Sequence, residues 1–341
     1  MTLPLRDFNS ANLDLDGKSV LVTGGTGSFG QAFVRTVLAH HKPAKLIVFS
    51  RDEMKQYEMA QEFDDARYSC MRYFIGDVRD VDRLEMAMRG VNVVVHAAAL
   101  KHIPAAEYNP FECIHTNVLG AENVVKAALR CGVGKVMALS TDKAASPVNL
   151  YGASKLASDK IFVAANNLSG GVTAFSVVRY GNVMGSRGSV VPLFRRLAAE
   201  RADHVPITDE RMTRFWITLR QGVDFVLSSL AIMHGGEIFV PKIPSARITD
   251  IARVLAPGLP VKVVGIRPGE KLHEVMITED DARTTAHLSD RYVIQPALSF
   301  WSSDNHGGGV PVPEGFQYAS NTNDEWLDDA ALAETLRETA V

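Results

Sequence analysis

The chain has 341 residues, 46% of them apolar and 22% charged, with a formal net charge of −3. That composition supports a sizeable packed core, in one large domain or two unequal ones, and argues against a disordered chain. It provides no general basic surface for nucleic acid or an anionic membrane, and no apolar run approaches the roughly 20 residues a bilayer span requires.

Residues 1–17 read as a polar lead-in. The first eight, Met-Thr-Leu-Pro-Leu-Arg-Asp-Phe, lack a basic segment followed by a long apolar one, so a cytoplasmic protein is expected. Strands are expected at 19–23, 45–49, 72–75, 91–95, 136–140 and 172–178. Helices are expected after Gly30 to about Ala39, at 53–63 and 81–89, over a long stretch 110–131, and from Tyr151 onward. The strands are continuously apolar and alternate with helices, which points to a parallel sheet covered on both faces. The expected fold is therefore α/β, a Rossmann-type doubly wound parallel sheet in a cofactor-binding domain over 1–180. After Arg179 the rhythm breaks at a glycine-rich stretch, and shorter units follow: helices at 191–200 and 219–233, strands at 206–208, 237–240 and 261–264. Residues 181–341 read as a smaller α/β substrate lobe followed by a polar tail. The tail, after residue 299 and containing Gly307 to Gly309, reads as a surface wrap or a partly mobile segment. Cys70, Cys113 and Cys131 include no Cys-x-x-Cys pair and read as buried free thiols of a reducing compartment.

The pattern Gly24-x-x-Gly27-x-x-Gly30 lies between a strand and a helix, where glycines let the backbone approach a pyrophosphate and the helix N-terminus receives the anion. Gly24, Thr26, Gly27, Ser28, Phe29 and Gly30 are thus candidates to hold a dinucleotide. The second strand ends in Ser50-Arg51-Asp52. Ser50 and Arg51 suit a 2′-phosphate and point to NADP, whereas Asp52 suits free ribose hydroxyls and points to NAD. Asp77 and Val78 follow the third strand, in place to meet an adenine; an N-cap for the next helix is the competing role for Asp77. Ala98, in the small-residue run after the fourth strand, is a further cofactor candidate. His96, Lys101 and His102 flank that run without a carboxylate or thiol cluster, so no metal is expected.

Ser140-Thr141-Asp142-Lys143 ends a strand, and Tyr151 and Lys155 stand at i and i+4 on the next helix, on one face. Bringing a tyrosine from its usual value of about 10 to near 7 needs about 4 kcal/mol of preferential stabilisation of the phenolate. A neighbouring lysine and an oxidised nicotinamide can supply it. Asp142 and Lys143 add an acid and an amine that a simple hydroxyl oxidation does not need.

Together these motifs resemble the extended short-chain dehydrogenase/reductases that modify nucleotide sugars. The Ser140–Lys143 element is similar to one branch in particular, the inverting UDP-N-acetylglucosamine 4,6-dehydratases that begin pseudaminic acid synthesis. So are the stretches at 150–160, 179–192, 207–209, 212–218, 235–244 and 267–274, the last reading Arg-Pro-Gly-Glu-Lys-Leu-His-Glu. The likeness runs from about Asp16 to Asp324. It implies a tightly bound, recycled NADP, UDP-N-acetylglucosamine as substrate, and homo-oligomers, often hexamers. It also implies catalytic roles for Thr141, Asp142, Lys143, Tyr151 and Lys155: proton removal from the 4-hydroxyl by Tyr151, C5–H abstraction by Lys143 as a free amine, and protonation of the departing 6-hydroxyl by Asp142. Lys143 then needs a lowered pKa and Asp142 a raised one; burial favours both, and a mutual ion pair opposes both. Arg214 and Arg267 are candidates for the diphosphate. Lys101, Asn182, Val191, Thr208 and Glu270 are further substrate candidates, and Glu270 and Lys271 are expected to pair with each other or with a neighbouring subunit. A 4-epimerase shares the glycines, Tyr151 and Lys155 but has no use for the Asp142–Lys143 pair. A retaining 4,6-dehydratase typically has Asp-Glu there, and a non-catalytic cofactor sensor needs neither Tyr151 nor Lys155.

Overall fold

The structure, a computed structural model, describes residues 6–8, 13–186, 188–297 and 301–338. The first strand, β1 (Ser19–Thr23), is buried along its whole length, as five consecutive residues must be when both sheet faces are covered. The chain continues through α1 (Ser28–His40), β2 (Lys45–Ser50), α2 (Glu53–Glu62), β3 (Met71–Ile75), α3 (Val81–Met88) and β4 (Val93–His96). Next come α4 (Ile103–Tyr108), α5 (Pro110–Ile114), α6 (Gly120–Cys131), β5 (Lys135–Thr141), α7 (Leu150–Ala165) and β6 (Ala174–Tyr180). The second half contains β7 (Asn182–Val183), α8 (Val190–Ala199), β8 (Val205–Ile207), β9 (Thr213–Ile217), α9 (Leu219–Ile232) and β10 (Ile238–Pro241). It then runs through β11 (Ser245–Arg247), α10 (Ile248–Leu255), β12 (Val261–Val263), β13 (Val275–Ile277) and α11 (Glu279–Ala282). The last elements are β14 (Thr285–His287), β15 (Arg291–Ile294), β16 (Val310–Pro311), β17 (Tyr318–Ala319) and α12 (Asp329–Glu338).

The main sheet has the order β16-β14-β15-β10-β6-β5-β4-β1-β2-β3. The seven strands from β10 to β3 are parallel, and β15, β14 and β16 add an antiparallel margin. Strand order reverses between β1 and β4, so their carboxyl ends open a crevice of the kind that receives a ligand in such sheets. α1 covers one face with Phe33, Val34 and Val37, all buried, each such side chain contributing about 1.5–3 kcal/mol.

The packing does not divide the chain at residue 180. The larger core takes in Phe225 and Leu230 of α9, Phe239 of β10 and Val293 of β15 beside β1–β6, and α9 lies against α1. The smaller core gathers Met184, Val191, Phe194, Trp216, Ile251, Leu332 and Leu336. The reason is the edge of β6, whose backbone groups need a partner; β10 returns from the small lobe to provide it. The stretch 110–131 is also not one α-helix. A π-helical turn, His115–Leu119, joins α5 to α6, with Asn117 bonded through its side chain to both backbone groups of Leu100 at 2.8 and 2.9 Å. The sixth strand lies two residues later than expected. The tail is structured rather than a loose wrap: Leu332 and Leu336 of α12 are buried in the small core, and Tyr318 of β17 donates to Ile243 O. Among the described residues no helix is long and apolar enough to cross a membrane, and no metal-binding cluster is found.

Candidate active site

At the crevice, Gly24 has φ +65° and a side chain there would meet the Ala98 backbone at 2.9 Å; one at Gly30 would meet the Gly25 backbone at 2.4 Å. Both positions therefore exclude a β-carbon, so the turn can lie flat against the next strand and the helix can start close to the loop. Gly27 is the N-cap of α1 and brings no capping side chain, which leaves N–H groups of the first turn, from Ser28, Phe29 and Gly30, for an anion. Thr23 Oγ1 accepts from the N–H groups of Ala97 and Ala98, each at 3.2 Å, and bonds His96 Nδ1 at 2.8 Å. Burial, helped by the Lys155 charge, pushes His96 down to about 3, so the ring is neutral. Ser50 Oγ bonds Thr26 Oγ1 at 2.9 Å. Asp52 caps α2, accepting from Lys55 N at 3.0 Å and Lys55 Nζ at 2.6 Å. The acid that argued for NAD is thus committed to a helix end, while Arg51 is exposed, 3.7 Å from Asp77. Asp77 is not the helix cap; Asp80 is, and Asp77 accepts instead from Arg79. Val78 is buried and packs against the start of α6 at Gly120.

The catalytic candidates converge one strand away. β5 ends at Thr141, a single 3₁₀ turn carries Asp142 and Lys143, and Asn149 caps α7 through Gly152 N at 2.7 Å. Tyr151 and Lys155 are both buried on α7. Without a cofactor ring beside it, burial pushes the Tyr151 phenol up to about 12, while Lys143 and Thr141 pull it down. Burial lowers Lys155, against the opposing charge of Asp159. Asp159 accepts from Ser140 Oγ at 2.8 Å and pairs with Arg179 at 3.4 Å. Asp142 is fully buried; its Oδ1 accepts from Thr141 Oγ1 at 2.8 Å and from Lys143 Nζ at 3.0 Å. Its Oδ2 is buried without a partner among the described residues. Burial and Glu274 raise Asp142, the direction a proton donor needs. Lys143 is not a free amine: although burial works against its charge, Asp142 and Glu274 raise its pKa, because it forms ion pairs at 3.0 and 3.3 Å.

A family model described as polysaccharide biosynthesis protein matches residues 20–296. The chain is 56% identical over 330 residues to the inverting UDP-N-acetylglucosamine 4,6-dehydratase of Campylobacter jejuni, covering 94% of this chain and 98% of that protein. The chain belongs to the inverting UDP-N-acetylglucosamine 4,6-dehydratase family. A more distant relative, the UDP-glucose 4-epimerase of Rickettsia massiliae, is 42% identical, with 81% of this chain and 82% of that protein covered. Among solved structures, Pen from Bacillus thuringiensis superposes with a TM-score of 0.87 at 35% identity, over 96% of this chain and 99% of that one. The dTDP-glucose 4,6-dehydratase DesIV from Streptomyces venezuelae, solved with NAD bound, gives 0.64 at 26%, over 74% and 86%.

For a member of this dehydratase family, the placement of the remaining candidates is informative. Arg214 is not a free fork for phosphate. It is buried, and its guanidinium donates to the carbonyls of Thr213 (2.7 Å), Leu272 (3.1 Å) and Lys271 (2.9 Å). Arg267 is exposed, 3.8 Å from Glu270. Glu270 and Lys271 do not pair with each other: Lys271 Nζ donates to Ala145 O at 2.5 Å and stands 4.0 Å from Glu274. Gly269 O accepts from Asn149 Nδ2 at 2.7 Å. The segment from Arg267 to Glu274 thus clasps the loop that carries Asp142 and Lys143. Asn182 is half-buried, its Oδ1 without a partner among the described residues, Lys101 is exposed, Val191 is buried in the small core, and Thr208 donates to Met212 Sδ at 3.2 Å. Arg187 of the glycine-rich stretch lies outside the described residues. Sequence reasoning did not single out Glu274. Its signals are its place at the end of the 267–274 motif and an acid directly before the apolar strand β13.

Proposed function

We propose that the protein is a hydro-lyase that removes water from UDP-N-acetylglucosamine across C5 and C6 and inverts C5. The observation that carries this reading is the Asp142–Lys143 ion pair at 3.0 Å, on the turn after β5 and beside the buried Tyr151. The glycine turn excludes β-carbons where a pyrophosphate would lie, and the uncapped start of α1 suits its charge, so the residues fit a nicotinamide dinucleotide. Ser50 and Arg51, with Asp52 held in its helix cap, favour NADP. When bound, that cofactor accepts the C4 hydride and returns it to C6.

The chain's own residues handle the protons. Tyr151, assisted by Thr141 and Lys155, takes the 4-hydroxyl proton. The dehydrating pair must act as amine and acid, and that state is one proton transfer from the observed one. Moving a proton from Lys143 to Asp142 leaves the net charge of the pair unchanged. Lys143 is one-fifth exposed in its side chain, so a sugar covering it removes water and disfavours the separated charges. Lys143 then takes the C5 proton, and Asp142 protonates the leaving 6-hydroxyl through Oδ2; C5 finally regains a proton from the opposite face, which inverts it. Arg267 and Asn182 are the candidates for diphosphate and sugar contacts; Arg214 holds the carbonyls of Lys271 and Leu272, in the segment that carries Arg267. A 4-epimerase needs no such acid and base.

A cytoplasmic, homo-oligomeric enzyme opening a pseudaminic acid-type route to a surface glycan such as modified flagellin completes the proposal. The test is to incubate the purified protein with UDP-N-acetylglucosamine in deuterated water, without added cofactor, and follow proton NMR. The expected product is a 6-deoxy-4-keto sugar of L-arabino configuration with deuterium at C5. A change in C4 configuration alone would make the protein an epimerase.

A further inference from the structure

We propose that Glu274 is a positioning residue that sets how strongly the Asp142–Lys143 pair holds its protons. The inference rests on the dehydratase reading above and on the following geometry. Glu274 is 2% exposed. Its Oε1 lies 3.3 Å from Lys143 Nζ and 3.6 Å from Arg214 Nε, and Oε2 lies 4.0 Å from Lys271 Nζ. Its backbone is fixed on both sides: Glu274 N–H donates to Ser320 Oγ at 3.0 Å, and Ser320 N–H donates to Glu274 O at 2.8 Å.

A purely structural ion pair does not explain this placement. Arg214 is held by three carbonyls and Lys271 by Ala145 O, so neither depends on Glu274 for its position. Lys143, by contrast, has only Asp142 and Glu274 as ion-pair partners among the described residues. Once Asp142 carries a proton, Glu274 is the remaining anion. Besides Glu274, the groups facing the pair are the Arg214 guanidinium, the Lys271 ammonium and the Tyr151 phenol. In that state Lys143 is a neutral amine, and the Arg214 and Lys271 cations, with no anion beside them, would make Asp142 too strong an acid to keep the proton it must deliver. Glu274 offsets Arg214 and Lys271, and brings the pair back to a state where one proton can be shared.

The sign follows directly. Removing an anion lowers proton affinity, and removing a cation raises it. In Glu274→Gln the acid limb of the kcat profile should move to lower pH by about one unit, the scale expected for a charge at this range. In Lys271→Met it should move to higher pH. Independently of turnover, acetic anhydride labelling of Lys143 at a fixed pH, normalised to the exposed Lys160, should be about tenfold faster in Glu274→Gln and slower in Lys271→Met. Opposite directions rule out a simple change of access. Labelling rates that match the parent's in both variants would overturn the proposal, as would an acid limb that stays in place while kcat falls at every pH. If labelling shifts as expected but no variant, nor the parent, converts UDP-N-acetylglucosamine, the role of Glu274 stands and the substrate reading fails.

Discussion

The two ends of the site are built on opposite principles. Around Gly24 to Gly30 the work is done by missing atoms: backbone comes close because no β-carbon intervenes, and N–H groups at the start of α1 are left uncapped. Around Asp142 and Lys143 the work is done by side chains, five charged groups interlocked in a largely buried space. The first kind of site tolerates the loss of side chains and fails when atoms are added. The second tolerates almost no deletion, because each group removed leaves an unbalanced charge.

The sharpest test of that contrast is Lys143→Met. Turnover should fall by about 10²–10⁴-fold, the usual scale for a lost acid–base group, while the nicotinamide cofactor co-purifies to the same extent as with the parent, read from the absorbance of the released cofactor. Loss of cofactor together with activity would blur the two ends into one. Next is Gly30→Ala, which adds one methyl against the Gly25 backbone. It should cost about 1–3 kcal/mol of stability, seen as a lower urea midpoint, and release the cofactor.

The His96 ring links the two ends and gives a pH signature. Its folded value, about 3, is below its ordinary 6.5, so the unfolded chain binds the extra proton between these limits. Stability should therefore fall as pH drops from about 6.5 towards 3, by about 2 kcal/mol at pH 5 from this ring alone. His96→Gln should flatten that part of the urea-midpoint profile. Arg51→Ala should weaken NADP more than NAD by calorimetric titration; equal losses would remove Arg51 from cofactor choice. The smallest effect is expected for Ser28→Ala, which deletes a hydroxyl but no backbone N–H. Cofactor affinity should stay within about twofold, since the anion contact is made by the backbone N–H that the substitution keeps. A large loss there would break the comparison at the nucleotide end.

The same contrast explains what could be read from the sequence. The glycine turn, the strand-helix alternation, and the placement of Tyr151 and Lys155 on one buried helix are local, set by spacings of a few residues, and they lie where spacing predicts. Asp142 and Lys143 were also legible as an acid and an amine, but not as an ion pair with a third partner. Glu274 reaches Lys143 from far along the chain, and only the fold of the 267–274 segment over Asn149 and Ala145 brings it there. Arg214 misled for a related reason: a guanidinium suits phosphate oxygens, but it suits a cluster of three carbonyls equally well, and sequence does not distinguish them. Nor does a division at residue 180 show that α9, β10 and β15 join the larger core, because strand order is not chain order.

That last feature bears on biosynthesis. Ile238 and Phe239 pair with Val177 and Val178, and β15 closes on β10, so the large sheet waits for nearly the whole chain to leave the ribosome. Until then β6 presents a bare parallel edge of buried-type residues, a template for pairing with another nascent chain. The two lobes therefore cannot be completed one after the other, and a chain arrested before Ile238 lacks part of both.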